Sequence, residues 1–159
     1  MRNQQKGFSL IELLIVVAII LIIAAMATPS YLRSRLAANE ASAVGSIRMF
    51  NSSAITYFTT YPDKGFPASL AVMSGPEPCN IPTAANACLI DQFLASGTKS
   101  GYTFAWTGDG NTPSVAYAVT GTPISVGTTG RRMFCSDQSA AIRFDPSGAG
   151  CTNVSDPLQ

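Results

Sequence analysis

The sequence predicts an α+β fold in which one long N-terminal helix packs on a small antiparallel sheet of about four strands. Three features of the 159 residues support this prediction. Residues 8–27 form an almost unbroken apolar run, residues 30–59 have apolar side chains at helical spacing, and the alternating segments typical of strands follow residue 101. A helix packed on such a sheet gives the two layers of an α+β domain.

The length and charge of the chain limit its partners. At 159 residues it is long enough for one domain, or for one domain with an attached long segment. The formal net charge is +1, and loss of residues 1–7 would remove Arg2 and Lys6, leaving 8 basic against 9 acidic residues. This balance offers no basic face, so the sequence predicts no nucleic-acid partner.

The apolar run Phe8–Ala27 is the first element. Its 20 residues match the roughly 20 that a helix needs to cross about 30 Å of hydrocarbon, so we expect it to reside in a membrane. Glu12 interrupts the run and is the only charged residue between Lys6 and Arg33. Because an ionised carboxylate within a membrane span costs several kcal/mol, Glu12 requires an explanation of its own.

Two simple interpretations of this run leave Glu12 without a role. In the first, the run is a plain membrane anchor. In the second, it is an ordinary signal peptide, since Ala25-Met26-Ala27 resembles an A-x-A cleavage site, and cleavage after Ala27 would release a secreted binding domain. A third interpretation comes from the residues around the start of the run.

The segment Lys6–Glu12, with the sequence KGFSLIE, resembles the class III signal of type IV prepilins and of the related pseudopilins. It combines a short basic leader, a glycine that ends the leader, a phenylalanine that begins the mature chain, and a glutamate as the fifth mature residue. Thr28-Pro29 also falls where members of this family commonly carry a proline, although Leu21 stands where many of them have a glycine.

The resemblance implies processing by prepilin peptidase, a membrane-embedded aspartyl peptidase that cuts on the cytoplasmic side. The cut would fall between Gly7 and Phe8, and the new N-terminus at Phe8 would be methylated. Residues 1–7 would then be a leader, residues 8–29 a transmembrane and filament-core helix, and residues 30–159 an exported pilin-like domain.

The same resemblance gives Glu12 and Pro29 roles in assembly. Subunits of this family stack their apolar helices in a filament core. There the Glu12 carboxylate would pair with the Phe8 amine of a neighbouring subunit, because a buried charge is tolerated when an opposite charge meets it. Pro29 would kink the helix near Ala25 and would permit local melting. The implied partners are the membrane, prepilin peptidase, the inner-membrane assembly machinery and further copies of the chain.

The segment 30–59 predicts the amphipathic half of the same helix. Its apolar side chains recur mostly at steps of three or four residues and are Leu32, Leu36, Val44, Ile47, Phe50, Ala54, Ile55 and Phe58. Polar side chains such as that of Asn51 fall largely elsewhere. The proline-rich residues 60–100 predict a connecting loop without regular strands, with short helical turns at 67–73 and 88–95.

Residues 101–159 predict the sheet and a C-terminal loop. The first two strands alternate around a Gly-Asp-Gly-Asn turn, and the residues expected on one face are Tyr102, Phe104 and Trp106, followed by Val115, Tyr117 and Val119. A second pair of strands, at 131–136 and 140–144, flanks a turn at 137–139.

Four cysteines, all in the predicted exported part, indicate disulfides formed in an oxidising compartment. The chain has no histidine and no C-x-x-C pair, so a zinc site is disfavoured. Of the three possible pairings we expect Cys79 with Cys88 and Cys135 with Cys151, because sequential pairs close the shortest loops. An oxidised domain also favours a cytoplasmic N-terminus and an exported C-terminal part.

These observations predict a structural subunit rather than an enzyme. The chain has no histidine, no G-x-S-x-G motif and no P-loop, so we expect no catalytic residue and no cofactor. The segment Asp109-Gly110-Asn111 fits a hairpin turn better than a calcium loop, so we expect no metal.

The predicted function is polymerisation into a type IV pilus-like helical filament. A type II secretion pseudopilin is the alternative within this class, and a secreted binding domain released after Ala27 is the alternative outside it. The precursor would reside in the inner membrane. The assembled fibre would be extracellular, or periplasmic if it is a pseudopilus.

Overall fold

The computed structural model describes residues 8–158 and contains one long and two short helices among them. The helices are α1 (Leu10–Thr60), α2 (Leu70–Met73) and α3 (Gln92–Ala95). The strands are β1 (Thr98–Lys99), β2 (Tyr102–Gly108), β3 (Tyr117–Pro123), β4 (Met133–Asp137), β5 (Arg143–Asp145) and β6 (Asp156–Pro157). The predicted α+β fold with a long N-terminal helix and an antiparallel sheet is therefore confirmed.

The chain divides into a first unit that ends at Arg35 and a second unit that begins at Leu36. The sheet lies in the second unit, where its strands follow chain order and each is antiparallel to the next. Strands β2 to β5 correspond to the four predicted strands, with shifted ends. In the register of the central pair, Trp106 lies opposite Val119.

The two additional strands, β1 and β6, are the edges of the sheet and have two residues each. Because β1 falls within residues 60–100, the expectation that this segment lacks strands is wrong. A strand of two residues shows no alternation, so the sequence pattern does not reveal it. The short helices α2 and α3 lie within the two segments that predicted helical turns.

The core of the second unit forms between α1 and the sheet. The buried apolar residues of α1 recur at helical spacing and are Ala43, Val44, Ile47, Phe50, Ala54 and Tyr57. Phe50 meets Phe104 of β2 edge-on, with ring centroids 5.4 Å apart. Full burial of a large apolar side chain contributes about 1.5–3 kcal/mol, so this face of α1 holds the helix on the sheet.

Four residues of the predicted apolar stripe lie outside this core, because Leu32, Ile55 and Phe58 are exposed and Leu36 is only half-buried. Ile55 lies about 100° around the helix from Ala54 and about 140° from Phe50, so it falls at the edge of the buried face and is 49% exposed. Leu32 belongs to the first unit.

Asn51 is buried on the core face of α1, so the expectation that it lies away from the apolar stripe is wrong. Its side-chain amide donates a hydrogen bond of 2.8 Å to the Ser136 hydroxyl, and its carbonyl accepts one of 3.0 Å from the Tyr117 hydroxyl. A buried polar group is tolerated when it is hydrogen-bonded. These partners come from β3 and β4, so the local pattern around Asn51 gives no sign of them.

The connection between β2 and β3 is longer than the predicted tight turn. The Asp109 carboxylate accepts hydrogen bonds from the backbone N–H groups of Val115, at 3.0 Å, and of Asn111, at 3.1 Å. These bonds, that of Val115 first, hold the pKa of Asp109 well below its ordinary value. Val115 therefore stays outside β3 and is exposed, which corrects its placement on the second strand.

Two disulfides are present in the second unit, with the predicted pairing. Cys79 and Cys88 are joined with Cα atoms 5.9 Å apart, and Cys135 and Cys151 with Cα atoms 5.8 Å apart. The first bridge closes a loop between α2 and α3. The second ties β4 to the C-terminal segment that contains β6, which supports an edge too short to be stable alone.

Candidate functional site

The N-terminus of α1 is built by a capping arrangement that the sequence signals as S-x-x-E. Ser9 is the residue before the helix, and its carbonyl accepts the first helical bond, from the Leu13 N–H at 3.2 Å. The Glu12 carboxylate reaches back and accepts a 3.0 Å hydrogen bond from the Ser9 N–H through Oε2. This is one half of a capping box, which places a negative charge at the positive end of the helix dipole.

Glu12 thus has a partner within its own chain, which the motif-based interpretation did not anticipate. Within residues 8–158, the second carboxylate oxygen, Oε1, accepts no hydrogen bond. The Glu12 side chain is exposed, and Phe8, just before the helix, is also exposed. The carboxylate can therefore cap the helix and still receive a further donor.

The predicted cleavage site is only partly covered by the structure. Gly7 lies outside the described residues, whereas Phe8 is described and 82% exposed. Cleavage between them and methylation of Phe8 remain predictions from the motif.

The first part of α1 has the composition of a membrane span. The most apolar 18-residue window of the helix has a mean hydropathy of 3.1, and none of that window is buried by the rest of the chain. Large apolar side chains from Leu10 to Met26 are exposed on every side of the helix. Because a helix that is apolar all round must be covered by lipid or protein, this surface requires a membrane or other helices.

Pro29 lies inside α1, which continues past it to Thr60. Proline has no N–H, so the Ala25 carbonyl loses its usual helical donor. The residue before the proline, Thr28, donates a 2.8 Å hydrogen bond from its hydroxyl to the Ala24 carbonyl. The kink near Ala25 and the assembly role of Pro29 remain predictions.

Glu40 is a structurally important residue that the sequence reading missed. It is 8% exposed and forms a 2.7 Å ion pair with Arg132, and it also accepts hydrogen bonds from the backbone N–H groups of Arg131, at 2.9 Å, and of Arg132, at 3.2 Å. Burial alone would raise the pKa of Glu40, but these hydrogen bonds and the Arg132 charge outweigh it and lower the pKa. Its helical spacing from Val44 and Ile47 is the signal that places it on the buried face.

We expect Glu40→Gln to destabilise the second unit by about 2 kcal/mol, since charge-assisted hydrogen bonds contribute roughly 1.5–3 kcal/mol and Arg132 is partly exposed. Folding lowers the Glu40 pKa, so its contribution is present above the ordinary value of 4.5 and is lost as pH falls through the lowered value. The free energy of unfolding is measured by urea unfolding of the detergent-solubilised chain, with the fluorescence of Trp106 as the signal.

The matched control is Glu77→Gln, which removes an exposed carboxylate from the same unit and should leave the midpoint nearly unchanged. The difference between the wild type and Glu40→Gln should shrink in acid. A difference that stays constant down to pH 3, well below the ordinary pKa of 4.5, would show that the ion pair is not its source.

The four cysteines are consumed by the two disulfides. Within residues 8–158, no group of three or more His, Cys, Asp or Glu side chains is placed to hold a metal ion. The oxygens of Asp109 are used by backbone N–H groups of its own loop, as in an ordinary turn.

Residues 2–28 match the family described as the prokaryotic N-terminal methylation motif. Neither a search of curated proteins nor a search of solved structures found a match to the chain. The chain therefore carries the class III prepilin signal of the type IV pilin and pseudopilin family. This motif implies a pilin or pseudopilin that prepilin peptidase processes, with a membrane-anchored precursor and an exported domain.

Proposed function

We propose that the chain is a structural subunit that polymerises through its N-terminal helix into a type IV pilus-like filament. The observation that carries the proposal is the position of the methylation motif, which leads directly into an apolar helix that the rest of the chain leaves uncovered. The same helix, α1, supplies the core face of the globular unit. One element thus combines a surface for lipid or other copies with a folded domain.

The proposed boundaries follow from this arrangement. Residues 1–7 are the leader, residues 8–29 span the inner membrane and later form the filament core, and residues 30–159 are exported. The disulfides in the exported part support its location in an oxidising compartment.

In the proposed mechanism, Glu12 has different partners before and after assembly. In the membrane its Oε2 caps α1 through the Ser9 N–H, and Oε1 has no donor within residues 8–158. In the filament, Oε1 receives the Phe8 amine of a neighbouring subunit. The charge that is costly in lipid is then paired, which favours the axial register that brings the two groups together.

The same motif and fold suit the pseudopilin of a type II secretion system, which remains the alternative. A pilus is extracellular and a pseudopilus periplasmic, so immunogold imaging of intact cells separates them. Labelled fibres beyond the cell surface support the pilus, and fibres seen only after the outer membrane is opened support the pseudopilus.

The first test is the mass of the mature protein. We expect an N-methylated chain that begins at Phe8, because the peptidase cuts before the apolar helix and leaves it attached. Mass spectrometry of the N-terminal peptide decides this. A mature chain that begins at Thr28 would contradict the proposal and would support the secreted binding domain, which requires cleavage after Ala27.

A further inference from the structure

Two arginines, Arg33 and Arg35, follow the apolar span within the first unit and are exposed. Within residues 8–158, no carboxylate lies within 4.0 Å of either guanidinium. The ion pair found in this part of the chain joins two other residues, Glu40 and Arg132. A guanidinium has five N–H donors and keeps its charge in proteins. Neither guanidinium is ion-paired within the described residues, so both can bind an anionic acceptor from outside the chain.

The hydroxyl groups near these arginines, in contrast, have hydrogen-bond partners within the helix. The Thr28 hydroxyl donates to the Ala24 carbonyl at 2.8 Å, and the Ser34 hydroxyl donates to the Ser30 carbonyl at 3.0 Å. Such bonds within the helix satisfy polar groups without water. They leave the two exposed guanidiniums as the charged groups of this segment that can take an external acceptor.

Helix geometry gives the depth of these arginines in a bilayer. At about 1.5 Å per residue, Arg33 lies roughly 35 Å along α1 from Leu10, just beyond about 30 Å of hydrocarbon. This is the headgroup layer, where aromatic residues with a polar tip concentrate. Tyr31 is such a residue, exposed and with its ring 5.9 Å from the Arg35 guanidinium carbon.

We propose that Arg33 and Arg35 bind the phosphate groups of anionic phospholipids at the exported surface of the bilayer. This inference rests on the membrane anchoring in the proposed function. A planar guanidinium matches a phosphate with two parallel hydrogen bonds, and each basic residue near an anionic headgroup strengthens its binding by roughly fivefold. Basic residues usually favour the cytoplasmic side, so a lipid partner accounts for two of them on the other side.

The test reconstitutes the purified full-length chain in phosphatidylcholine vesicles that carry a trace of spin-labelled phosphatidylglycerol or spin-labelled phosphatidylcholine. Electron paramagnetic resonance measures the fraction of each lipid immobilised by the protein. We expect the wild type to prefer phosphatidylglycerol by about fivefold or more. The variant Arg33→Gln/Arg35→Gln should show a clearly smaller preference than the wild type, and 0.5 M salt should weaken the wild-type preference.

The matched control is Arg48→Gln. Arg48 is also exposed and lies on α1, but it belongs to the second unit, 13 residues beyond Arg35 in the chain. The Arg48→Gln variant should keep the wild-type preference for phosphatidylglycerol. Equal immobilisation of the two lipids by the wild type, or an unchanged preference in the double variant, would overturn the inference.

Flotation of the same vesicles separates this inference from the proposed function. If the chain floats with the vesicles but shows no lipid preference, the anchoring stands and the arginine inference fails. If the chain does not float, the anchoring fails and the arginine inference fails with it.

Discussion

Glu12→Ala is expected to leave the processed subunit in the membrane and to abolish most filament assembly. In the bilayer the change removes a costly charge, and the loss of the bond to the Ser9 N–H costs only about 0.5–1.5 kcal/mol. In the proposed filament it would leave a neighbour's Phe8 amine without a partner in an apolar core, and breaking one side of a buried pair costs about 3–5 kcal/mol. The two environments therefore respond with opposite sign.

Glu12→Gln is the informative companion, because it separates capping from charge. The substituted side-chain amide would keep an oxygen that can accept from the Ser9 N–H, but it would carry no negative charge for the Phe8 amine. We expect assembly to fail in both variants. The measurement compares processed subunit held in the membrane with filament sheared from the cells.

A normal filament yield from Glu12→Gln, together with a loss in Glu12→Ala, would assign Glu12 to capping of α1 alone. A normal yield from both variants, with processing intact, would remove this carboxylate from the assembly mechanism.

Replacing Gly7 with a bulky residue should block processing completely. We expect Gly7→Leu to accumulate as a precursor that retains residues 1–7, because a side chain next to the scissile bond hinders the close approach of the peptidase to the backbone. Without a free Phe8 amine, no filament should form. The intact mass of the membrane-held protein gives the result.

Gln4→Leu is the control, since it adds the same side chain to the leader away from the cut and should be processed normally. Both interpretations that lack prepilin peptidase, the plain anchor and the ordinary signal peptide, predict that Gly7→Leu matures like the wild type. Mature Gly7→Leu protein beginning at Phe8 would therefore refute the role assigned to this glycine.

The elements that the sequence predicted correctly have a local cause. The apolar run depends on consecutive residues, and the prepilin signal is a short contiguous motif, which the family match at residues 2–28 bears out. Strands β2 and β3 were readable because Tyr102 and Phe104, like Tyr117 and Val119, alternate with outward-facing neighbours. The disulfide pairing followed from loop length in the same way.

The burial of Glu40 and of Asn51 was missed because their partners are distant in the chain. Glu40 and Arg132 are 92 positions apart, and Asn51 and Tyr117 are 66 apart, so no local pattern links them. The apolar character of Ile55 predicts a core position, although this residue lies at the edge of the buried face of α1 and is 49% exposed. The capping bond of Glu12 is local by contrast, because Ser9 and Glu12 are three residues apart in the S-x-x-E pattern.

The sequence by itself determined the long helix, the apolar segment at its start, and the site at which the leader is expected to be cut. These properties follow from the chemistry and spacing of neighbouring residues. Only the tertiary structure decided which polar groups of α1 are buried, how the edges of the sheet end, and which apolar residues stay exposed. The reason is physical: a polar side chain such as that of Glu40 or Asn51 is stable inside the core only when a distant strand brings it a hydrogen-bonding partner.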